Sequence, residues 1–178
     1  MTGAHYPQAR GWAPVRRSPR LCASLLLAMA LAACSSSPER PGPAHGYGQA
    51  TADSRRANEV LVRAIGLVGT PYRYGGNTPA GGFDCSGLVG YVFLDAAGLR
   101  LPRSTSELMD LRSRRVSREH LQPGDLVLFT PGGSGHVGIY VGEGRFVHAP
   151  SSGGTVRMDR LDTPYWARAY SGAKRVLD

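Results

Sequence analysis

The chain has 178 residues, with 21 lysines and arginines against 13 acids, a formal charge of +8, and 24 glycines. Four of those arginines (Arg10, Arg16, Arg17 and Arg20) lie in the first 20 residues, which hold no acid. Without them the charge falls from +8 to +4, and with no nucleic-acid motif in the chain that balance gives no reason to expect nucleic acid as a partner.

Leu21 to Ala33, "LCASLLLAMALAA", is apolar and small, and at 13 residues is too short to span a bilayer as a helix. A basic stretch, an apolar run and small residues at its end read as a signal peptide, residues 1–33, that is removed. The Arg16-Arg17 pair fits a twin-arginine signal only loosely. Leu31-Ala32-Ala33-Cys34 resembles the bacterial lipobox, which implies lipidation at Cys34. Several acyl chains, at about 0.8 kcal/mol per buried CH₂, hold a protein stably on a membrane where one chain does not. Ser35 in place of an aspartate implies, by resemblance to enterobacterial lipoproteins, the outer membrane of a cell envelope, facing the periplasm.

Residues 34–52 form a lipidated amino terminus and a tether rich in Ser, Pro, Gly and Ala. The folded domain, residues 53–178, is expected to open with Asp53 or Ser54 as an N-cap. Val60, Leu61, Ala64, Ile65 and Val68 follow at helical spacing, ended by Gly69-Thr70-Pro71. After a loop dense in glycine, a second helix is predicted from Asp84-Cys85 to Ala97, stopping at Gly98. Ser104 and Glu107 stand as a capping box for a third. The run 111–119, with four arginines, reads as a solvated helix end and turn. Its sharper reading is a patch for anionic wall polymer or lipid headgroups.

After Gln122 the pattern becomes strands: "GDLVLFT", "HVGIYVG", "RFVHAP", "TVRMDRL" and "AKRVLD". Helices first and strands after, with short connections, predict an α+β domain whose N-terminal helices pack on an antiparallel β-sheet.

Cys22 leaves with the signal and Cys34 carries lipid, so Cys85 is the one thiol side chain left. An exported protein normally pairs its thiols. A buried inert cysteine is the alternative, yet Cys85 falls at a helix amino terminus, where free N–H groups and the dipole favour an anion. Such a site, with an assisting histidine, activates a thiol, and the same N–H groups can receive the oxyanion of acyl transfer. Of the histidines, His5 is removed, His45 lies in the tether and His120 sits in a polar turn. His136 and His148 remain. Reading Gly142-Glu143-Gly144 as a three-residue hairpin loop pairs Val141 with Arg145 and Gly138 with His148. Both histidines then share one face, while Val137, Ile139, Val141 and Val147 share the other. His136 is expected as the base toward Cys85 and His148 as its orienter.

"GTPYRYGG", "FDCSGLV", "LQPGDLVLF", "HVGIYVG" and "FVHAP" resemble, in order, the blocks of the NlpC-type cell-wall cysteine peptidases, over about Glu59 to Val176. The resemblance implies a papain-like core, with Cys85 as nucleophile, His136 as base and His148 as third residue. Tyr72 matches a tyrosine credited with helping the oxyanion site, with Tyr74 the weaker match. Asp84 and Ser86 are expected to bind substrate peptide groups. The implied activity is hydrolysis of peptidoglycan stem peptides, often between D-glutamate and the diamino acid, with no metal or organic cofactor. A monomer is expected, restrained by a partner lipoprotein or a protease. Three other readings stay open: an acyltransferase using the same residues, a catalytically silent wall-binding lipoprotein, and a zinc site of Cys85, His136 and His148.

Overall fold

The computed structural model describes residues 45–152 and 154–177, with side chains from residue 52 onward. The expected signal peptide, Cys34 and residues 34–44 of the tether lie outside the described residues.

Helix α1 spans His45–Gly66, so it starts before the expected cap at Asp53 or Ser54. Pro43 is the last proline before it, and residues 45–52 hold Gly46 and Gly48 but no proline, so the helix runs through Asp53 instead of starting there. Arg56 donates to Asp53 one turn back, a partly buried i,i+3 helical pair. The buried stripe of α1 is Val60 and Ala64, continued by Leu67 in the turn just past its end, whereas Ile65 and Val68 are 42% and 45% exposed. The helix is thus turned toward the 60/64/67 side of the apolar arc that the sequence offers.

A small hairpin, β1 (Asn77–Thr78) and β2 (Gly82–Phe83), leads into α2, Cys85–Ala97. Helix α2 ends as expected at Gly98, whose φ of 64° and N–H bond to the Leu94 carbonyl make a left-handed cap. It buries Leu88, Val89, Val92 and Phe93 completely, each contributing on the order of 1.5–3 kcal/mol. Helix α3, Thr105–Asp110, carries the Ser104/Glu107 capping box, with both reciprocal bonds formed.

The sheet is wholly antiparallel, built from β3 (Arg114–Val116), β4 (Leu126–Phe129), β5 (His136–Gly142), β6 (Arg145–His148), β7 (Arg157–Arg160) and β8 (Tyr170–Arg175), in the order β3-β8-β4-β5-β6-β7. Alternation along these strands divides two cores. Leu126, Val137, Ile139 and Val147 meet the helices, while Val127, Phe129, Tyr140 and Phe146 meet Trp166 and Ala169 of a short α4, Pro164–Ala169, on the other face. The α+β architecture is the expected one.

Three local expectations are corrected. The arginine run is not a helix end: Arg114–Val116 is an edge strand on β8, followed by a 3₁₀ turn at Arg118–His120. Only its partner makes it a strand, and Arg118 donates to the Leu161 carbonyl rather than standing free. The last strand begins at Tyr170 instead of Ala173, and α4 precedes it, opened by the Thr163-Pro164 pair. The hairpin turn is two residues, Glu143 and Gly144, at φ 53° and 71°, with the extra residue absorbed as a bulge near Val141. Beyond that bulge Ile139 pairs with Val147, so Gly138 faces His148 as expected.

Candidate active site

Cys85 is the first residue of α2, and the sequence before it sets its position. Asp84 is the N-cap, its Oδ1 accepting from Gly87 N at 2.7 Å and its Oδ2 from Gly75 N at 2.9 Å. The glycine-rich loop can lie this close because Gly87 lacks a side chain: a Cβ there would sit 2.0 Å from the Gly76 carbonyl oxygen. Gly87→Ala is therefore expected to lower stability by about 1–3 kcal/mol and to reduce activity through displacement of Cys85. Urea unfolding beside an activity assay checks both. An unchanged midpoint would mean the loop relaxes freely.

Of the first N–H groups of α2, that of Gly87 goes to Asp84 Oδ1 and that of Leu88 to the Asp84 carbonyl. Those of Cys85 and Ser86 are left without a partner among the described residues, beside the partly exposed thiol. Tyr72 packs against the core beside them. Burial, with the neighbouring Cys85 and Asp84, pushes its hydroxyl pKa up, so it stays a proton donor. Tyr74 is 94% exposed.

Asp84 and Ser86, expected to meet substrate, are engaged within the chain. Arg103 forks onto both Asp84 oxygens at 2.8 Å and donates to Ser86 Oγ at 2.8 Å and the Gly76 carbonyl at 3.2 Å. Burial would raise the Asp84 pKa, but the bonds from Arg103 and Gly87 outweigh it and hold the carboxyl below its ordinary value. Arg103 was not singled out in the sequence. Its one signal was its place directly before the α3 cap.

The two histidines meet as the hairpin register requires. His136 Nε2 and His148 Nδ1 are 2.9 Å apart, with the rings edge to face. His148 is fully buried, and its other nitrogen lies 3.0 Å from Asp159 Oδ2. Trp166 stacks on His136 at 5.5 Å and donates its indole N–H to the same carboxylate oxygen at 2.8 Å. Burial lowers the His136 pKa to about 3, helped by the positive potentials of His148 and Arg157. It lowers that of His148 to about 4 against the raising effect of Asp159. Both rings are neutral near pH 7.

No hydrogen bond joins Cys85 to His136. Thr105 Oγ1 lies 3.2 Å from Cys85 Sγ, and a Cβ on Gly135, the residue before His136, would come within 3.2 Å of the Thr105 methyl. Lys174 fastens the far end of that helix, donating to the Met109 and Leu111 carbonyls. Apo sites often hold nucleophile and base apart until substrate binds. A zinc site is disfavoured by the donor set, since both nitrogens of His148 are already engaged.

The NlpC/P60 family model matches residues 69–175. The chain is 45% identical over 128 residues to murein DD-endopeptidase MepH of Escherichia coli (strain K12), covering 69% of this chain and 47% of that protein. It is 48% identical over 110 residues to murein DD-endopeptidase MepS/murein LD-carboxypeptidase of the same strain, covering 61% and 57%. The chain thus spans about half the length of these curated relatives. A crystal structure of an NlpC/P60 family protein from Bacillus cereus ATCC 10987 superposes with a TM-score of 0.63 at 32% identity, over 68% of this chain and 40% of that one. With the family match extending from the loop before Cys85 to the last strand of the sheet, this chain belongs to the NlpC/P60 family.

Proposed function

We propose that the chain is a peptidoglycan hydrolase, a cysteine endopeptidase of stem peptides with Cys85 as nucleophile, His136 as base and His148 as its orienter. The observation that carries this reading is a lone thiol on the first turn of α2, beside two open N–H groups, with a bonded pair of neutral histidines on the adjoining strands. Cys85 Sγ attacks the amide carbonyl carbon while its proton passes to His136. The oxyanion is received by the N–H groups of Cys85 and Ser86 and by the Tyr72 hydroxyl. As the C–N bond breaks, the leaving amine takes the proton from His136, leaving a thioester. Water, losing a proton to His136, then attacks the thioester, which releases a carboxylic acid and restores the thiol.

Resemblance to the family suggests the bond between D-glutamate and the diamino acid. The two relatives named DD-endopeptidases favour a bond joining two D-centres, as in a crosslink. Incubating the purified protein with peptidoglycan and with each defined peptide, then reading products by mass spectrometry, decides between them. New amine and carboxyl ends are expected. Transfer to an added amine would make it an acyltransferase. Intact wall under reducing, metal-free conditions would overturn the reading and leave a wall-binding lipoprotein. In the proposed setting, residues 1–33 direct export and lipid on Cys34 holds the domain in the envelope, on the outer membrane.

A further inference from the structure

We propose that Asp159 is a positioning residue of the site: by accepting the Nε2 proton of His148 it directs every hydrogen bond behind the base and leaves Nδ1 of His136 as the unprotonated nitrogen. The inference deepens the hydrolase reading above and rests on it for its consequence in catalysis, though not for its geometry.

The argument is one of donors and acceptors. Asp159 Oδ2 lies within 3.1 Å of four nitrogens: Trp166 Nε1 at 2.8 Å, His148 Nε2 at 3.0 Å, and Nη2 and Nε of Arg157 at 3.0 and 3.1 Å. The indole and guanidinium N–H groups can only donate, so this oxygen can only accept. Burial would raise the Asp159 pKa, but the bonds from Trp166 and His148 and the Arg157 charge more than offset it, so the carboxylate is ionised. His148 Nε2 must then carry a proton. A neutral imidazole has one N–H, so His148 Nδ1 is bare and must accept, and the donor facing it among the described residues is His136 Nε2, 2.9 Å away. His136 in turn has its proton on Nε2 and its lone pair on Nδ1.

Each link is sterically fixed. His148 is fully buried between Phe146, at 4.7 Å, and Trp166, at 4.9 Å between ring centroids. Beside the pair, β7 contributes the charged Arg157 and Asp159, while α4 contributes Trp166 and Tyr165, the latter lining the same pocket as His136 and Arg157. Trp166 therefore does two things: its ring plane covers His136, and its N–H prevents the Asp159 oxygen from presenting a proton to His148. The direction of the chain also gives Asp159 a part in the reaction. When His136 takes up the thiol proton, its positive charge is met through His148 by a fixed negative charge.

Nitrogen NMR on histidine-labelled protein reads the tautomers directly, in the Cys85→Ala variant as well as the wild type, so the result stands even if the protein cuts no wall. The expected spectrum at pH 7 shows both histidines protonated on Nε2 and bare on Nδ1. Asp159→Ala should mix the tautomers and lower kcat about 10–100-fold with KM little changed, the range for loss of an outer partner that orients a histidine ring. Asp159→Asn, which keeps an accepting oxygen without the charge, should keep the tautomers, restore part of kcat and move the acid limb of the pH–rate profile to lower pH. It also serves where Asp159→Ala fails to fold. A wild-type His148 protonated on Nδ1 would overturn the proposal. So would unchanged kcat and unchanged pH profile in Asp159→Asn alongside unchanged tautomers in Asp159→Ala.

Discussion

Cys85→Ala will reduce peptidoglycan cleavage by about 10⁴–10⁶-fold while leaving the unfolding midpoint nearly unchanged. The size follows from the role: where nucleophile and base act as a unit, removing the nucleophile forfeits almost everything except binding and oxyanion stabilisation. The unchanged midpoint follows from the surroundings. The thiol is partly exposed, and its one hydrogen-bond partner among the described residues, Thr105 Oγ1, lies at a normal contact distance of 3.2 Å. The bonds that hold the start of α2 run instead through Asp84 to Gly87, Gly75 and Arg103. Catalysis and stability therefore separate at this position, as they do not at Asp84. A variant that keeps more than about 1% of wild-type turnover would exclude a thiol nucleophile. A variant that loses activity together with several degrees of Tm would point to Cys85 as a packing residue. Thermal unfolding and a timed product assay on the same preparation distinguish these results.

What the sequence disclosed depended on whether the deciding contacts were local. Helix α2 carries its own cap at Asp84 and its own stop at Gly98, so both ends were legible, as was the Ser104/Glu107 box. The histidine pair was legible because a hairpin ties register to turn geometry, and the apolar alternation of Val137, Ile139 and Val147 favoured the register that pairs Gly138 with His148 over one with His148 opposite Ile139. Asp159 was missed for the corresponding reason. It lies on β7, joined to β6 by a loop from Ala149 to Val156 that fixes no register on its own. Pairing His148 with Arg157 puts Arg157 and Asp159 on the histidine face, a placement that follows only once the loop has folded. Arg103 and Thr105 share that history, since each reaches Asp84 or Cys85 across nearly 20 residues of chain. Strand β3 lacked any alternation of its own, and β8 alone makes it a strand.

Stability will fall steeply as pH drops from about 6 to about 4, more steeply than carboxylate titration alone produces. His136 and His148 have ordinary pKa values of 6.5 but are lowered by burial to about 3 and about 4 in the folded protein. Unfolded, both become protonated as pH falls through 6.5; folded, neither does until about pH 4. In that window the unfolded chain holds up to two more protons, so stability rises with pH and is lost on acidification. Two protons correspond to a slope of about 2.7 kcal/mol per pH unit, against about 1.4 for one. A domain with the usual 5–15 kcal/mol of stability cannot sustain that slope for long, and unfolding or opening of the histidine site should intervene by about pH 4–5. Asp84 and Asp159 act in a different window. Their folded pKa values lie below 3.8, so the stability they contribute is complete above that value and is lost only at lower pH. Urea midpoints at pH 7, 6, 5 and 4 would give the slope. His136→Gln, which removes one buried titrating ring but keeps a polar side chain, should cut it to about half. Equal slopes in the two proteins would mean that His136 is not held neutral by its burial, and with that the account of a neutral imidazole serving as the base toward Cys85 would fail.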